Sequence, residues 1–395
     1  MVEENPYETM VASVFDDRDV LTESHQPEIV PRRAEEIRQY AHFLRPATNG
    51  NTPDNIMVYG DTGLGKTVVT KHIMELTVDE AENNGNVLSV IIEDCNNDSA
   101  FSYTREIVNR LRDDDEKDFP KRGLSTADAM DALYEELNKL EGTVILVADE
   151  IDHMDGVDSF LYEMSRAEST GDLDEVKLGI VGISNDYSFR RTLSAKTSGS
   201  FAEHELNFGP YDAEDLRHIL EERAVDAFRD GTLDEAVIPK CAALAARDKG
   251  DARQALDLLK MSGIVANEHN REQVAVEHVD EAKRRVERGK VAERVDDLTD
   301  HQRNIIVAIA NAEVQERSPV RTKEIYSLYS AVCERRGDEP LSTIRSVREH
   351  LKKLEMRGFL TQIEHNNGRG GGKYHTYELS MKPQLVFDVV RTGDE

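Results

Sequence analysis

The segment Gly60-Asp61-Thr62-Gly63-Leu64-Gly65-Lys66-Thr67 fits the pattern G-x-x-x-x-G-K-[ST] at every position. Glycines let successive backbone N–H groups curl around phosphate oxygens, and a helix beginning there adds a favourable dipole. Lys66 is then placed to reach the β- and γ-phosphates of a nucleotide, and Thr67 to offer its hydroxyl to Mg²⁺. Gly63, Leu64, Gly65, Lys66 and Thr67 are therefore the expected phosphate ligands. A second chemical element is Val144-Ile145-Leu146-Val147-Ala148-Asp149-Glu150, an apolar run ending in two carboxylates. With the phosphate loop beside them, Asp149 is expected to join Thr67 as a Mg²⁺ ligand and Glu150 to polarise an attacking water. Asn185, at the end of a further apolar run, can orient that water, or simply form a turn. Arg253, in Gly250-Asp251-Ala252-Arg253, can contact a γ-phosphate, although alone it also reads as a solvated helix residue.

A different chemistry sits near the C-terminus. In Leu341 to Leu354, Ser342 or Thr343 can cap a helix, and Ile344, Val347, Leu351 and Leu354 form an inward stripe. Arg345, Arg348 and Lys352 repeat on an adjacent face. The following Asn366-Asn367-Gly368-Arg369-Gly370-Gly371-Gly372-Lys373 reads as a glycine-rich hairpin tip whose Arg369 and Lys373 can reach phosphates or a minor groove. A basic helix followed by a hairpin is the winged-helix arrangement, with the helix suited to a DNA major groove. A solvated basic surface, or a surface for protein, gives the same pattern.

These residues need particular elements to hold them. Ile56–Tyr59, Val87–Ile92, Val144–Ala148 and Leu178–Ile183 read as buried parallel strands, with Leu206–Phe208 as a short fifth. The phosphate loop then opens a helix expected over Val68–Leu76. After Tyr211 the strand signals stop: Asp212 caps an amphipathic helix with Leu216, Ile219 and Leu220 on one side, and further helices follow. The charged run Arg284–Asp297 reads as the linker that ends this part. Strands are expected again at Phe359–Ile363 and Tyr374–Leu379. The resulting architecture is an α/β nucleotide-binding domain over 1–209, a helical lid over 210–295 and a winged-helix domain over 296–395.

Composition supports this division. The net charge is −29, yet residues 301–395 carry 15 Lys+Arg against 13 Asp+Glu, a net of +2. Residues 1–300 hold the remaining 34 and 65, a net of −31. The acidic excess resembles that of proteins from salt-loving archaea, where charge maintains solubility. No apolar run approaches the ~20 residues of a membrane span. The acidic N-terminus lacks the order of a signal peptide, so a cytoplasmic protein is expected. Cys95, Cys241 and Cys333 read as separate buried thiols, with no disulfide or zinc framework.

The chain resembles the archaeal origin-recognition and cell-division-control type initiators, an AAA+ and winged-helix family. The residues that carry the likeness are GDTGLGKT, VADEID, GISND, FGPYDAEDLRHILEERA, GDARQALDLLK and GRGGGKY, with Gln26 to Arg33 ahead of them. The resemblance implies an ATP- or ADP-binding, Mg²⁺-using initiator that binds double-stranded origin DNA and supports loading of a replicative helicase. It leaves self-association on DNA open. It assigns Asn185 and Arg253 as nucleotide sensors and adds Tyr211 and Arg223 as nucleotide contacts in the lid; packing is the alternative for Tyr211. One departure stands out. Where the family usually has a leucine and then a proline-arginine pair, this chain reads Leu193-Ser194-Ala195-Lys196, and lysine lacks the guanidinium fork. Hydrolysis is therefore expected to be slow at most, with ATP acting as a switch. A DNA-binding regulatory paralogue and a signalling or clamp-loader-like ATPase remain the alternatives.

Overall fold

The computed structural model describes residues 12–22, 25, 32–95, 99–113, 115–201, 204–366 and 373–392. Two compact units emerge, Met1–Val279 and Asp280–Glu395.

The first unit is built on a parallel sheet of β1 (Ile56–Tyr59), β2 (Leu88–Asp94), β3 (Thr143–Asp149), β4 (Lys177–Ser184) and β5 (His204–Asn207), in the order β2-β3-β4-β1-β5. All four strand pairs are parallel. Every residue of β1 is buried, as is β3 except for Asp149, so neither strand alternates. That is the signature of strands covered on both faces. Helix α1 (Ala34–Thr48) precedes β1, and α2 (Lys66–Asn83), α3 (Ala100–Leu111), α4 (Thr126–Leu137), α5 (Val157–Met164), α6 (Ala167–Thr170), α7 (Phe189–Thr192) and α8 (Ala195–Ser200) lie between the strands in sequence. The phosphate loop leaves the carboxyl end of β1, Asp149 ends β3 and Asn185 follows β4. All are at the sheet edge where open α/β sheets bind ligands.

The lid continues the first unit with α9 (Ala213–Ala227), α10 (Val237–Asp248) and α11 (Ala252–Glu268). The Asp212 carboxylate accepts from the Glu214 and Asp215 N–H groups, while Leu216, Ile219 and Leu220 turn inward, as their spacing predicts. An N-terminal segment is tied to this lid. Asp16 N donates to Ala227 O at 3.0 Å, Arg229 N to Val14 O at 3.1 Å and Val14 N to Asn267 Oδ1 at 2.9 Å. Phe15 packs on Phe228 with centroids 4.8 Å apart.

The linker expected at Arg284–Asp297 is corrected. Its residues up to Asp296 belong to one helix, α12 (Val276–Asp296). Glu281–Arg285 and Lys283–Glu287 form i,i+4 pairs along it, and Val279, Ala282, Val291 and Val295 are buried. Charge density suggested solvent; the sparse apolar stripe decided for helix.

In the second unit, α13 (Asp300–Val314), α14 (Thr322–Arg336), α15 (Ile344–Met356) and α16 (Pro383–Thr392) pack with an antiparallel sheet. Its strands are β6 (Val320–Arg321), β7 (Leu360–Asn366) and β8 (Lys373–Leu379), ordered β6-β8-β7. Val291, Val295 and Leu298 belong to this unit's core, which thus begins ahead of the expected boundary at 296. No described helix is long and apolar enough to cross a membrane. The three cysteines are buried free thiols.

Candidate functional site

Gly63 and Gly65 shape the phosphate loop for reasons local to each. Both have left-handed backbones, φ 80° and 84°. A Cβ on Gly63 would lie 1.7 Å from the Asp251 carboxylate, and one on Gly65 would lie 2.6 Å from the Tyr211 hydroxyl. Glycine at these positions therefore permits both the turn and the close approach of the lid. The loop delivers Lys66 and Thr67 into the first turn of α2.

The buried Lys66 ammonium donates to Gly60 O at 2.8 Å, Asp61 O at 2.9 Å and Asn185 Oδ1 at 2.7 Å. Burial, chiefly, lowers its pKa, with the Asp149 charge opposing and the Arg253 charge assisting. The Thr67 hydroxyl donates to Asp149 Oδ2 at 2.7 Å. Burial pushes the Asp149 carboxyl above the usual range, against the pull of that hydroxyl. Glu150 has φ 53°, unusual for a residue with a side chain. One of its carboxylate oxygens lies 3.4 Å from His153 Nδ1. Asn185 N donates to Asp152 Oδ1 at 3.3 Å, joining the end of β4 to the turn after β3.

These groups line one cleft of about 320 Å³. Gly63, Gly65, Lys66, Thr67, Asp149, Glu150, Asn185, Tyr211, Arg223 and Arg253 all border it. Leu64 does not: its side chain is buried, so only its backbone is available to a phosphate. Arg223 donates to Val20 O and His25 O, both at 3.2 Å, and so holds the N-terminal segment as a wall of the cleft. Arg253 stands in the first turn of α11, where the Asp251 carboxylate caps its N–H at 2.8 Å. The walls also include three apolar residues, Leu21, Ile219 and Leu256. Sequence reading missed Leu21, His25 and His153. Only Ile219 had been singled out, as a packing residue. Asp152 was in view within VADEID without a role.

In the second unit the Thr343 hydroxyl accepts from Ser346 N at 3.1 Å, choosing between the two expected caps of α15. Val347, Leu351 and Leu354 are fully buried, whereas Arg345, Arg348 and Lys352 are exposed. Arg345 has Glu349 at 3.6 Å, and Lys373 has Glu364 at 2.6 Å. The latter contact lowers the pKa of Glu364. Strands β7 and β8 form the expected hairpin, Asn366 opposite Lys373. Its tip, with Arg369, lies outside the described residues.

Comparisons with known proteins follow the same order along the chain. An AAA domain matches residues 49–183, a Cdc6 AAA+ ATPase-type lid domain 217–284, and a CDC6 C-terminal winged helix domain 293–389. ORC1-type DNA replication protein 8 of Halobacterium salinarum is 43% identical over 385 residues, covering 97% of each chain. The ORC1-type DNA replication protein of Thermococcus kodakarensis is 35% identical, over 97% of this chain and 92% of that one. Among solved structures, the Aeropyrum pernix ORC1 protein in complex with DNA is 33% identical with a TM-score of 0.79. That match covers 96% of this chain and 97% of the other. The chain belongs to the ORC1-type DNA replication proteins.

Membership in this AAA+ family carries nucleotide binding and a place in DNA replication. It also accounts for the acidic excess, since relatives come from Halobacterium salinarum and Haloarcula marismortui. Lys196, the departure from the resemblance, is exposed in the first turn of α8 and does not border the cleft.

Proposed function

We propose that this ORC1-type protein is an ATP-controlled replication initiator that binds duplex origin DNA through α15 and its hairpin, and supports helicase loading. The observation that carries the DNA reading is the division of α15 into a buried apolar stripe and an exposed face bearing Arg345, Arg348 and Lys352. Relatives add weight: the Aeropyrum pernix ORC1 protein, similar over nearly the whole chain, was solved with DNA. Arg369 and Lys373 would contact backbone or minor groove beside the helix. Helicase loading and any self-association on DNA rest on the family alone. A limit between the α/β domain and the lid at 209/210 belongs to this reading, as does placement in the cytoplasm at the nucleoid.

The site roles follow the geometry. The Leu21, Ile219 and Leu256 wall suits the flat apolar face of a purine, with Tyr211 and Arg223 closing the lid side. Backbone amides of Gly63, Leu64 and Gly65, with Lys66, would hold the phosphates of ATP or ADP. The donor set fits Mg²⁺: Thr67 and Asp149 bring two oxygens together at 2.7 Å, and this hard cation needs few protein ligands when phosphates and water complete the shell. Bound there, Mg²⁺ would neutralise charge on the phosphate oxygens. Glu150 would accept a proton from water, Asn185 would orient that water, and Arg253 would sense the γ-phosphate from the lid.

With Lys196 in place of arginine, we expect nucleotide to act as a conformational signal and turnover to be slow. This same departure favours a second reading, a regulatory DNA-binding paralogue. Mapping the protein on its own genome separates the two. Enrichment at a replication start supports initiation; scattered promoter sites support regulation; loss of neither pattern on Arg345→Ala plus Arg348→Ala overturns the assignment of α15.

A further inference from the structure

Arg33, 4% exposed at the entrance to α1, is a buried arginine that ends the Gln26–Arg33 segment of the family likeness. A buried guanidinium is costly unless its donors are satisfied. Its Nη2 donates to Leu64 O at 2.9 Å and to Gly209 O at 2.8 Å, and its Nη1 to Glu36 Oε1 at 2.6 Å, while its buried Nε has no partner. The guanidinium carbon stands 3.8 Å from the Tyr211 ring centroid and 5.2 Å from that of Phe208. Only arginine combines a planar face with several divergent donors.

The carbonyls it joins are informative. Leu64 is inside the phosphate loop. Gly209 lies between β5 and the lid, next to Pro210 and Tyr211. In a planar trans peptide the C=O and the following N–H point in opposite directions. Holding Leu64 O towards Arg33 therefore turns the Gly65 N–H away from it, on a residue that borders the cleft. The adjoining peptide is fixed from another side, because Ala252 N at the start of α11 donates to Gly63 O at 3.0 Å. Tyr211, with Arg33 over its ring and its hydroxyl beside Gly65, donates its own N–H to Gly250 O at 3.0 Å, just ahead of α11. Loop peptides, the crossing into the lid and the start of α11 thus form one connected set.

We propose that Arg33 is a positioning residue: it pre-aims the Gly65 amide at phosphate and fixes the lid crossing, making lid placement and phosphate binding interdependent. This rests on the reading of the cleft as a nucleotide site. Arg33→Lys keeps the charge but loses the planar face and simultaneous bonding to both carbonyls. Fluorescently labelled ADP should dissociate from it at least about tenfold faster than from the unaltered protein. Hydrogen exchange at the Tyr211 and Ala252 amides of the nucleotide-free protein, both bonded at the junction of loop and lid, should speed up together. Arg33→Met should extend both effects, and Glu36→Gln, which leaves the carbonyl contacts, should show a smaller change.

A merely structural arginine would lower the unfolding temperature without changing the dissociation rate of the folded protein. Dissociation and exchange within about twofold of the unaltered protein, in an Arg33→Lys variant that folds, overturn the proposal. If Arg33→Met does not fold, Arg33→Lys and Glu36→Gln decide. Lys66→Ala separates the two levels. Should it bind labelled ADP normally, the cleft assignment fails; should it lose binding while Arg33→Lys is unaffected, only the Arg33 assignment fails.

Discussion

The nucleotide cleft and the basic helix α15 solve the problem of holding charged groups in opposite ways. In the cleft, the groups that face a ligand also hold the protein together. Lys66 donates to two loop carbonyls and Asn185, Thr67 donates to Asp149, and Arg223 secures the N-terminal segment. On α15 the duties are divided. Val347, Leu351 and Leu354 pack inward, while Arg345, Arg348 and Lys352 stand in solvent. A buried network can preorganise a site for one small ligand, because its side chains lose their freedom before the ligand arrives. An exposed basic face keeps its cations available for a long polyanion, at the cost of salt sensitivity. Substitutions should therefore mix stability with binding in the first region and separate them in the second.

The largest expected effect tests the packing side of α15. Leu351→Ala removes a fully buried side chain and should lower the stability of the C-terminal unit by about 2–5 kcal/mol. Denaturant unfolding of the whole chain measures it, and a loss below about 1 kcal/mol would mean that the stripe does not hold the helix. Lys66→Ala comes next. It removes a charged phosphate contact and should weaken ADP binding by about two orders of magnitude, or nearly 3 kcal/mol, in an equilibrium titration. It should also shift nucleotide-free stability, since three acceptors lose their donor. Unchanged stability would break the claim that this site serves both purposes.

A smaller, purely surface effect is expected from replacing Arg345, Arg348 and Lys352 together by alanine. Duplex affinity should fall at least about tenfold at fixed salt, and the dependence of log affinity on log salt should flatten by about 0.9 per lost phosphate contact. Folding stability should stay within about 0.5 kcal/mol. Binding with an unaltered slope would remove α15 from the interface. At molar salt the screening length is about 3 Å, so affinity there must rest on close contacts.

The same contrast explains what could be read from the residues alone. Local chemistry was legible: the phosphate loop, the strand ending at Asp149, the Asp212 cap and the stripe of α15 are each contained within a few adjacent residues. Relations across the chain were not. Arg33 meets Leu64 and Gly209 only after β1 and β5 have been placed side by side; the likeness over Gln26–Arg33 put it ahead of the nucleotide pocket but assigned it no contact there. The wall built by Leu21 and His25 has the same character, because its place depends on Arg223 and the lid. Arg284–Asp296 failed for another reason. Its charged residues outnumber its apolar ones, and the i,i+4 pairs that support helix were weighed too lightly against the charge. Lys196 was legible as a departure, and on α8 it stands exposed, outside the lining of this chain's own cleft.

The smallest effect concerns pH and the metal, and it sharpens the view that burial sets the chemistry of the cleft. Asp149 is held above the ordinary carboxyl pKa of 3.8, first by burial and further by the charges of Asp94 and Glu150, while Thr67 and the Glu150 N–H act against this. A folded-state pKa above the unfolded one means that the folded protein binds this proton more tightly. Its contribution to stability is present below the unfolded value and is lost as pH rises through the folded one. Ionised Asp149 is thus a destabilising group in the metal-free protein at neutral pH, and Asp149→Asn should raise the unfolding temperature there. Mg²⁺ held by Asp149, as proposed, would reverse the balance by compensating the carboxylate. As pH falls through the raised pKa, the gain in nucleotide affinity on adding Mg²⁺ should shrink, starting above the range of an exposed aspartate. Asp149→Asn should show little gain at any pH. Titrations with ADP across pH, with Mg²⁺ and with a chelator, read both effects. A Mg²⁺ gain that persists unchanged in Asp149→Asn would move the metal to other ligands and leave Asp149 as a structural acceptor for Thr67.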